Sequence, residues 1–252
     1  MQPADFTTIE SIFVRHRNAL LIRGQFTPIY TDYYLHLMQH GIRHAEDLDQ
    51  MLKDSLAMLT LHLVARPWAE TIAWTTNLRA PRINLFVTGG SVQEAVTGRI
   101  FTEDVREPDR NFFYSQTTTV QGAEPRQSTM EVGGRDPVDW VSQFYDQSEQ
   151  RPARAFRLED ENFALIAAQP DCDLEWLAGL DAKEVAMILE TEETHLLETR
   201  RFRFHCGCTL EKILPILGGW RERPDALFEG ADFINLQCPR CAAKYQVTRD
   251  MI

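Results

Sequence analysis

Between Ala45 and Arg66, Leu48, Met51, Leu52, Leu56, Leu59 and Leu63 recur at intervals that place them on one stripe of an α-helix. Glu46, Asp47 and Asp49 occupy its first turns, where carboxylates meet the positive end of the helix dipole, and Arg66-Pro67 closes it. Runs rich in β-branched and aromatic residues then predict strands over 71–78, 83–87 and 111–120. Thr88-Gly89-Gly90 reads as a turn. It is not a dinucleotide-binding loop, because the further glycines such a loop needs are missing. Residues 1–35 read as mixed strand and helix around Arg23-Gly24.

In the second half, Gly133-Gly134 breaks the pattern and Asp136-Pro137 opens a helix, with Asp136 placed to cap it and Pro137 at its first position. Val138, Val141, Phe144 and Tyr145 form its apolar stripe. Residues 156–158 and 163–168 read as strands, and 174–189 as helix, with Asp181 and Glu184 spaced as a capping box for its second half. A short helix over 210–217 ends at Gly218-Gly219. No internal repeat is apparent.

Four of the five cysteines fall in the last fifty residues, as Cys206-Gly-Cys208 and Cys238-Pro-Arg-Cys241. Two short pairs separated by a loop are what a structural zinc site needs, since four thiolates can then meet tetrahedrally. Two disulfides are the other reading, and they require an oxidising compartment. Met1-Gln2-Pro3-Ala4-Asp5 offers no basic stretch followed by an apolar run, and no long uncharged apolar run reads as a membrane span. A reduced, cytoplasmic protein with zinc on Cys206, Cys208, Cys238 and Cys241 is therefore expected. Cys172 stands apart and reads as an ordinary partly buried cysteine.

Composition narrows the function. Hydrophobic residues make up 44% and charged residues 25%, as in ordinary globular chains, and the 252 residues can bury a sizeable core. A net charge of −11 argues against nucleic acid as the main partner. The charge is uneven: residues 171–199 are strongly acidic and the chain from Arg200 onward leans basic, so the acidic segment either lies against the cysteine module or is a solvated face.

Phe204-His205-Cys206-Gly207-Cys208-Thr209-Leu210-Glu211-Lys212, then Leu214, Leu217-Gly218, Glu229-Gly230 and Cys238-Pro239-Arg240-Cys241 with Tyr245, resemble the zinc module of the heat-shock protein 33 family of redox-regulated holdase chaperones. Phe144-Tyr145-Asp146-Gln147-Ser148-Glu149-Gln150-Arg151-Pro152 resembles that family's aromatic helix end followed by Ser-Glu-Gln, and Arg23-Gly24 is a further match. The resemblance implies an α+β fold: a large mixed α/β core domain over 1–168 with antiparallel-rich sheets and helices, a short helical linker over 169–204, and a small four-cysteine zinc-binding domain over 205–252. It implies an ATP-independent holdase, not an enzyme, that binds unfolding client proteins after oxidation of its zinc-bound cysteines. It also implies a possible homodimer, with no nucleic-acid or membrane partner. The linker is shorter than the family's and leaves room for one substantial helix.

In that picture oxidation expels zinc, the module unfolds, and the segment with Trp176, Leu177, Leu180, Val185, Met187, Ile188 and Leu189 is released; the alternative is a permanently packed core helix. Three other readings stay open. A constitutive zinc-stabilised chaperone or binding module fits the short linker. Arg200, Arg201, Arg203, Arg240, Lys244 and Arg249 would suit a nucleic-acid-binding zinc ribbon, against the overall acidity. A catalytic zinc needs an open coordination position, which four cysteines fill unless His205 replaces one. His36, His40 and His44, at four-residue spacing, would make a metal face on a helix, although Gly41 lies among them and a solvated stripe explains them as well.

Overall fold

The structure is a computed structural model that describes residues 6–66, 69–119, 124–220 and 222–252. Met1–Asp5, Pro67 and Val120, which carried parts of the reading above, lie outside the described residues. The chain opens with a hairpin, β1 (Thr7–Val14) and β2 (Ala19–Gln25), and two helices, α1 (Thr27–His40) and α2 (Glu46–Val64). A meander follows: β3 (Glu70–Leu78), β4 (Ile83–Gly90), β5 (Ala95–Phe101), β6 (Phe112–Thr119) and β7 (Arg126–Glu131). Next come α3 (Pro137–Phe144), β8 (Ala153–Arg157), β9 (Asn162–Ala168), α4 (Leu174–Gly179), α5 (Ala182–Thr191) and β10 (Thr194–Phe204).

The strands form one sheet in the order β7-β6-β3-β4-β5-β10-β1-β2-β9-β8, antiparallel except where β10 meets β5. That parallel contact is short, with Arg203 opposite Ala95 and Phe204 opposite Val96. The fold is thus the expected α+β arrangement with antiparallel-rich sheet.

The predicted amphipathic helix is α2, but it lies at the centre of the main core and every residue from Asp54 to Val64 is buried. Its polar residues are satisfied there. Ser55 Oγ donates to the Met51 carbonyl at 2.8 Å, Thr60 Oγ1 to the Leu56 carbonyl at 2.7 Å, and Asp54 accepts from Arg157 at 2.7 Å. Thr88-Gly89-Gly90 is not a turn but the end of β4. A Cβ on Gly89 would lie 2.7 Å from Leu63 Cδ1 and 2.7 Å from Val96 Cγ1, so glycine is what lets α2 settle onto the sheet.

Strand alternation gives β1, β2, β8 and β9 a second apolar face. Ile12, Val14, Ala19, Leu21, Ala164, Ile166 and Ala168 line it, and Leu177, Leu180, Val185 and Ile188 cover it from α4 and α5. The expected helix over 174–189 is these two helices, separated at Leu180; Asp173 caps α4, and Asp181 with Glu184 forms the predicted capping box of α5. The helical reading of 169–204 fails for its last part, because Thr194–Phe204 alternates in burial as a strand and pairs with β1. The acidic segment faces the β1–β2 turn and not the cysteine module: Asp173 and Glu192 pair with Arg17, and Glu193 with Arg15 and His16.

α1 ends at Gly41, whose φ of 57° stops the helix, so His44 leaves the face that His36 and His40 share. Beyond β10 lie α6 (Leu210–Ile213), a 3₁₀ turn over Leu214–Trp220, α7 (Pro224–Phe228) and a separate hairpin of β11 (Phe233–Gln237) and β12 (Lys244–Thr248). Gly218-Gly219 falls inside the 3₁₀ turn and does not end the helical stretch. Among the described residues no helix is long and apolar enough to cross a membrane.

Candidate metal centre

The end of β10 delivers one cysteine pair and the β11–β12 hairpin the other. His205 N donates to the Val96 carbonyl at 2.9 Å, and Cys206-Gly-Cys208 follows, with Gly207 at a φ of 66° turning the chain so that both sulfurs face the same way. Thr209 then caps α6. In the hairpin, Cys238 N donates to the Ala243 carbonyl at 2.8 Å and Ala242 N to the Cys238 carbonyl at 2.9 Å, closing a tight knuckle around Cys238 and Cys241.

The four predicted residues come together. Their sulfurs all lie within 4.8 Å of one another, with Cys206 Sγ 3.7 Å from Cys238 Sγ and Cys208 Sγ 3.5 Å from Cys241 Sγ. All are free thiols. Four sulfurs at ~2.3 Å from a tetrahedral ion would be about 3.8 Å apart, so the spacing suits zinc. Hydrogen bonds from Cys206 and Cys241 hold the Cys238 thiol far below its ordinary range, while sharing protons with Cys238 pushes the Cys206 thiol up. A thiophilic dication would remove this competition by keeping all four deprotonated.

His205 is not in the cluster, and neither is Cys172, which packs under α4 and whose thiol burial pushes up. Tyr245 completes the surroundings: its hydroxyl donates to the Cys208 carbonyl at 3.1 Å and lies 3.2 Å from Cys208 Sγ. The module has little core of its own. Ile213 and Ala243 pack on the cysteines, and Leu217, Phe228 and Val247 make a second small group.

The sequence reading missed that the core domain touches the knuckle. His36, His40 and Arg99 all reach it, and the four-residue spacing of the histidines was the only available signal. The basic residues proposed for nucleic acid do not form one surface free of other duties: Arg200 is buried against Glu94, and Arg249 pairs with Asp225.

By sequence, no protein-family model and no curated protein matches the chain. By structure it is similar to the crystal structure of the 33 kDa chaperonin (heat-shock protein 33 homologue) from Thermotoga maritima. The TM-score is 0.71 at 10% identity, over 97% of this chain and 96% of that one. The chain therefore has the fold of that heat-shock protein 33 homologue over nearly its whole length.

Proposed function

We propose that this protein is an ATP-independent holdase that takes up unfolding proteins when its cysteine cluster is oxidised, with Cys206, Cys208, Cys238 and Cys241 holding one zinc ion in the reduced state. The four-sulfur cluster at the end of β10 is the observation that carries the reading. Bound zinc would supply the folding free energy that the module's small core lacks. The functional division is a core over 1–168 completed by β10, a linker over 169–193 and a switch module from 205.

Each disulfide forms when two thiolates, one hydroperoxide and two protons give one disulfide, one alcohol (water, from hydrogen peroxide) and one water. Two such events consume all four sulfurs and leave no ligand set. The route to the client surface runs the length of β10, which is 11 residues long. Cys206 follows directly on β10, and only Glu192 and Glu193 separate β10 from α5. Loss of the module frees the C-terminal end of β10 and loosens α5. The face of Ile12, Val14, Leu21 and Ile166 beneath it is then open to apolar segments of unfolding clients, at ~25 cal/mol per Å² buried.

The fold likeness supports a chaperone in place of an enzyme, and unfolding proteins in place of nucleic acid, as does the acidic chain. A second reading has its own observation: Met187, Leu189, Leu196 and Leu197 are already exposed, which favours a constitutive chaperone. Light scattering of a heat-unfolding protein separates the two. Suppression only by peroxide-treated protein supports the switch, and equal suppression by reduced protein supports the constitutive reading.

A further inference from the structure

The core grips the cysteine knuckle by its backbone. Arg99, on β5, donates from Nη1 to the Cys238 carbonyl at 2.9 Å and from Nη2 to Gln237 Oε1 at 3.1 Å. His36 Nε2, on α1, donates to the Cys241 carbonyl at 2.8 Å. One turn further, the Lys244 backbone N–H donates to His40 Nδ1 at 3.2 Å, and Lys244 Nζ to the Gly41 carbonyl at 3.3 Å. Carbonyls of two of the four cysteines are thus held by side chains of the core.

Arg99 is an unusual residue to find there. Its guanidinium lies 3.9 Å from the centre of the Phe101 ring, and its Nε is buried with no hydrogen-bond partner. A partly buried cation needs a nearby anion, and the cluster whose Cys238 carbonyl Arg99 holds would supply it as thiolates.

We propose that Arg99 and His36 form a redox-sensitive latch, which holds the module on α1 and β5 while the four sulfurs are thiolates and releases it when they are disulfides. This rests on the reading given under Proposed function. Four thiolates around one dication carry a net double negative charge, and two disulfides carry none, so oxidation removes the charge that Arg99 faces. Release exposes the end of α1, where His36 and His40 meet the knuckle. Leu35 and Met38, already exposed on α1, extend that patch. The core thus offers clients a second surface, apart from the one under α5.

The test uses the full chain with Arg99→Met, which keeps the stem over Phe101 but lacks charge and donors, and Arg99→Lys, which keeps the charge. His36→Phe provides a second variant that keeps the ring packing. Zinc transfer to a chelating dye and amide hydrogen exchange are followed in reduced and peroxide-treated protein. Arg99→Met should release zinc on the order of tenfold faster than the parent, the equivalent of one charge-assisted hydrogen bond. Its residues 36–41 should exchange when reduced as the oxidised parent does, with Arg99→Lys intermediate and His36→Phe shifted in the same direction. Parent-like release and exchange in both Arg99→Met and His36→Phe would overturn the latch. If peroxide releases zinc from the parent but leaves exchange at 36–41 unchanged, the latch alone fails. If the parent holds no zinc, the underlying reading fails first.

Discussion

His62 Nδ1 lies 2.8 Å from the Tyr145 hydroxyl, and both side chains are buried. The pair joins the central helix α2 to the turn that follows α3, where Tyr145–Glu149 widens into a π-helical turn. The same turn sends Glu149 to Arg66, which also pairs with Glu70 at 3.2 Å. The Tyr145–Glu149 segment therefore fastens the end of α2 in place. Replacing Tyr145 by Phe leaves a buried imidazole nitrogen without its partner and should cost about 1–3 kcal/mol, read as a lower denaturation midpoint.

The same imidazole makes the core acid-sensitive. Burial, with Arg66, Arg151 and Arg126 adding to it, holds His62 neutral well below its usual range. With the folded pKa depressed, the unfolded chain binds the proton first, so stability is full above ~6.5 and declines as pH falls below it, by up to about 1.4 kcal/mol per pH unit. His62→Gln should flatten that slope between about pH 6.5 and 5. An unchanged slope would assign it to other groups.

A cysteine ligand should matter to the module and not to the core. Cys238→Ser should lower zinc content and remove hydrogen-exchange protection from β11 and β12, because the module's apolar groups are few. The strands around α2 should exchange as before. Full protection of the hairpin in that variant would contradict metal-dependent folding.

The linker can be tested without any oxidant. Ile188, on α5, is buried against the sheet face that the helix covers, and truncating it to Ala should weaken local packing by about 2–5 kcal/mol. Reduced Ile188→Ala should then bind an apolar dye and suppress aggregation more than the reduced parent. Parent-like behaviour would mean that the surface under α5 is not where clients bind.

The sequence shows the parts of this molecule whose signals are local. The leucine stripe of α2, the caps at Asp136 and Asp181 and the paired cysteines are each specified within a few residues, and each is found in the structure. What it hides depends on distant partners. β10 carries three arginines and one glutamate that read as surface, yet Arg200 is buried against Glu94, which is far away in the chain. Gly89 reads as a turn because nothing nearby reveals that a helix will pack on it. Arg99 carries no motif and His36 only its spacing to His40, and the docking of the module onto β5 and α1 gives them their role.

The most direct test of the account follows three quantities in one sample after peroxide is added: zinc released, client bound, and hydrogen exchange across residues 174–191. One equivalent of zinc should be lost, with client binding rising at the same rate and protection falling in α4 and α5 over the same time course. Client binding already at its maximum before zinc leaves, or rising while that segment stays protected, would contradict it.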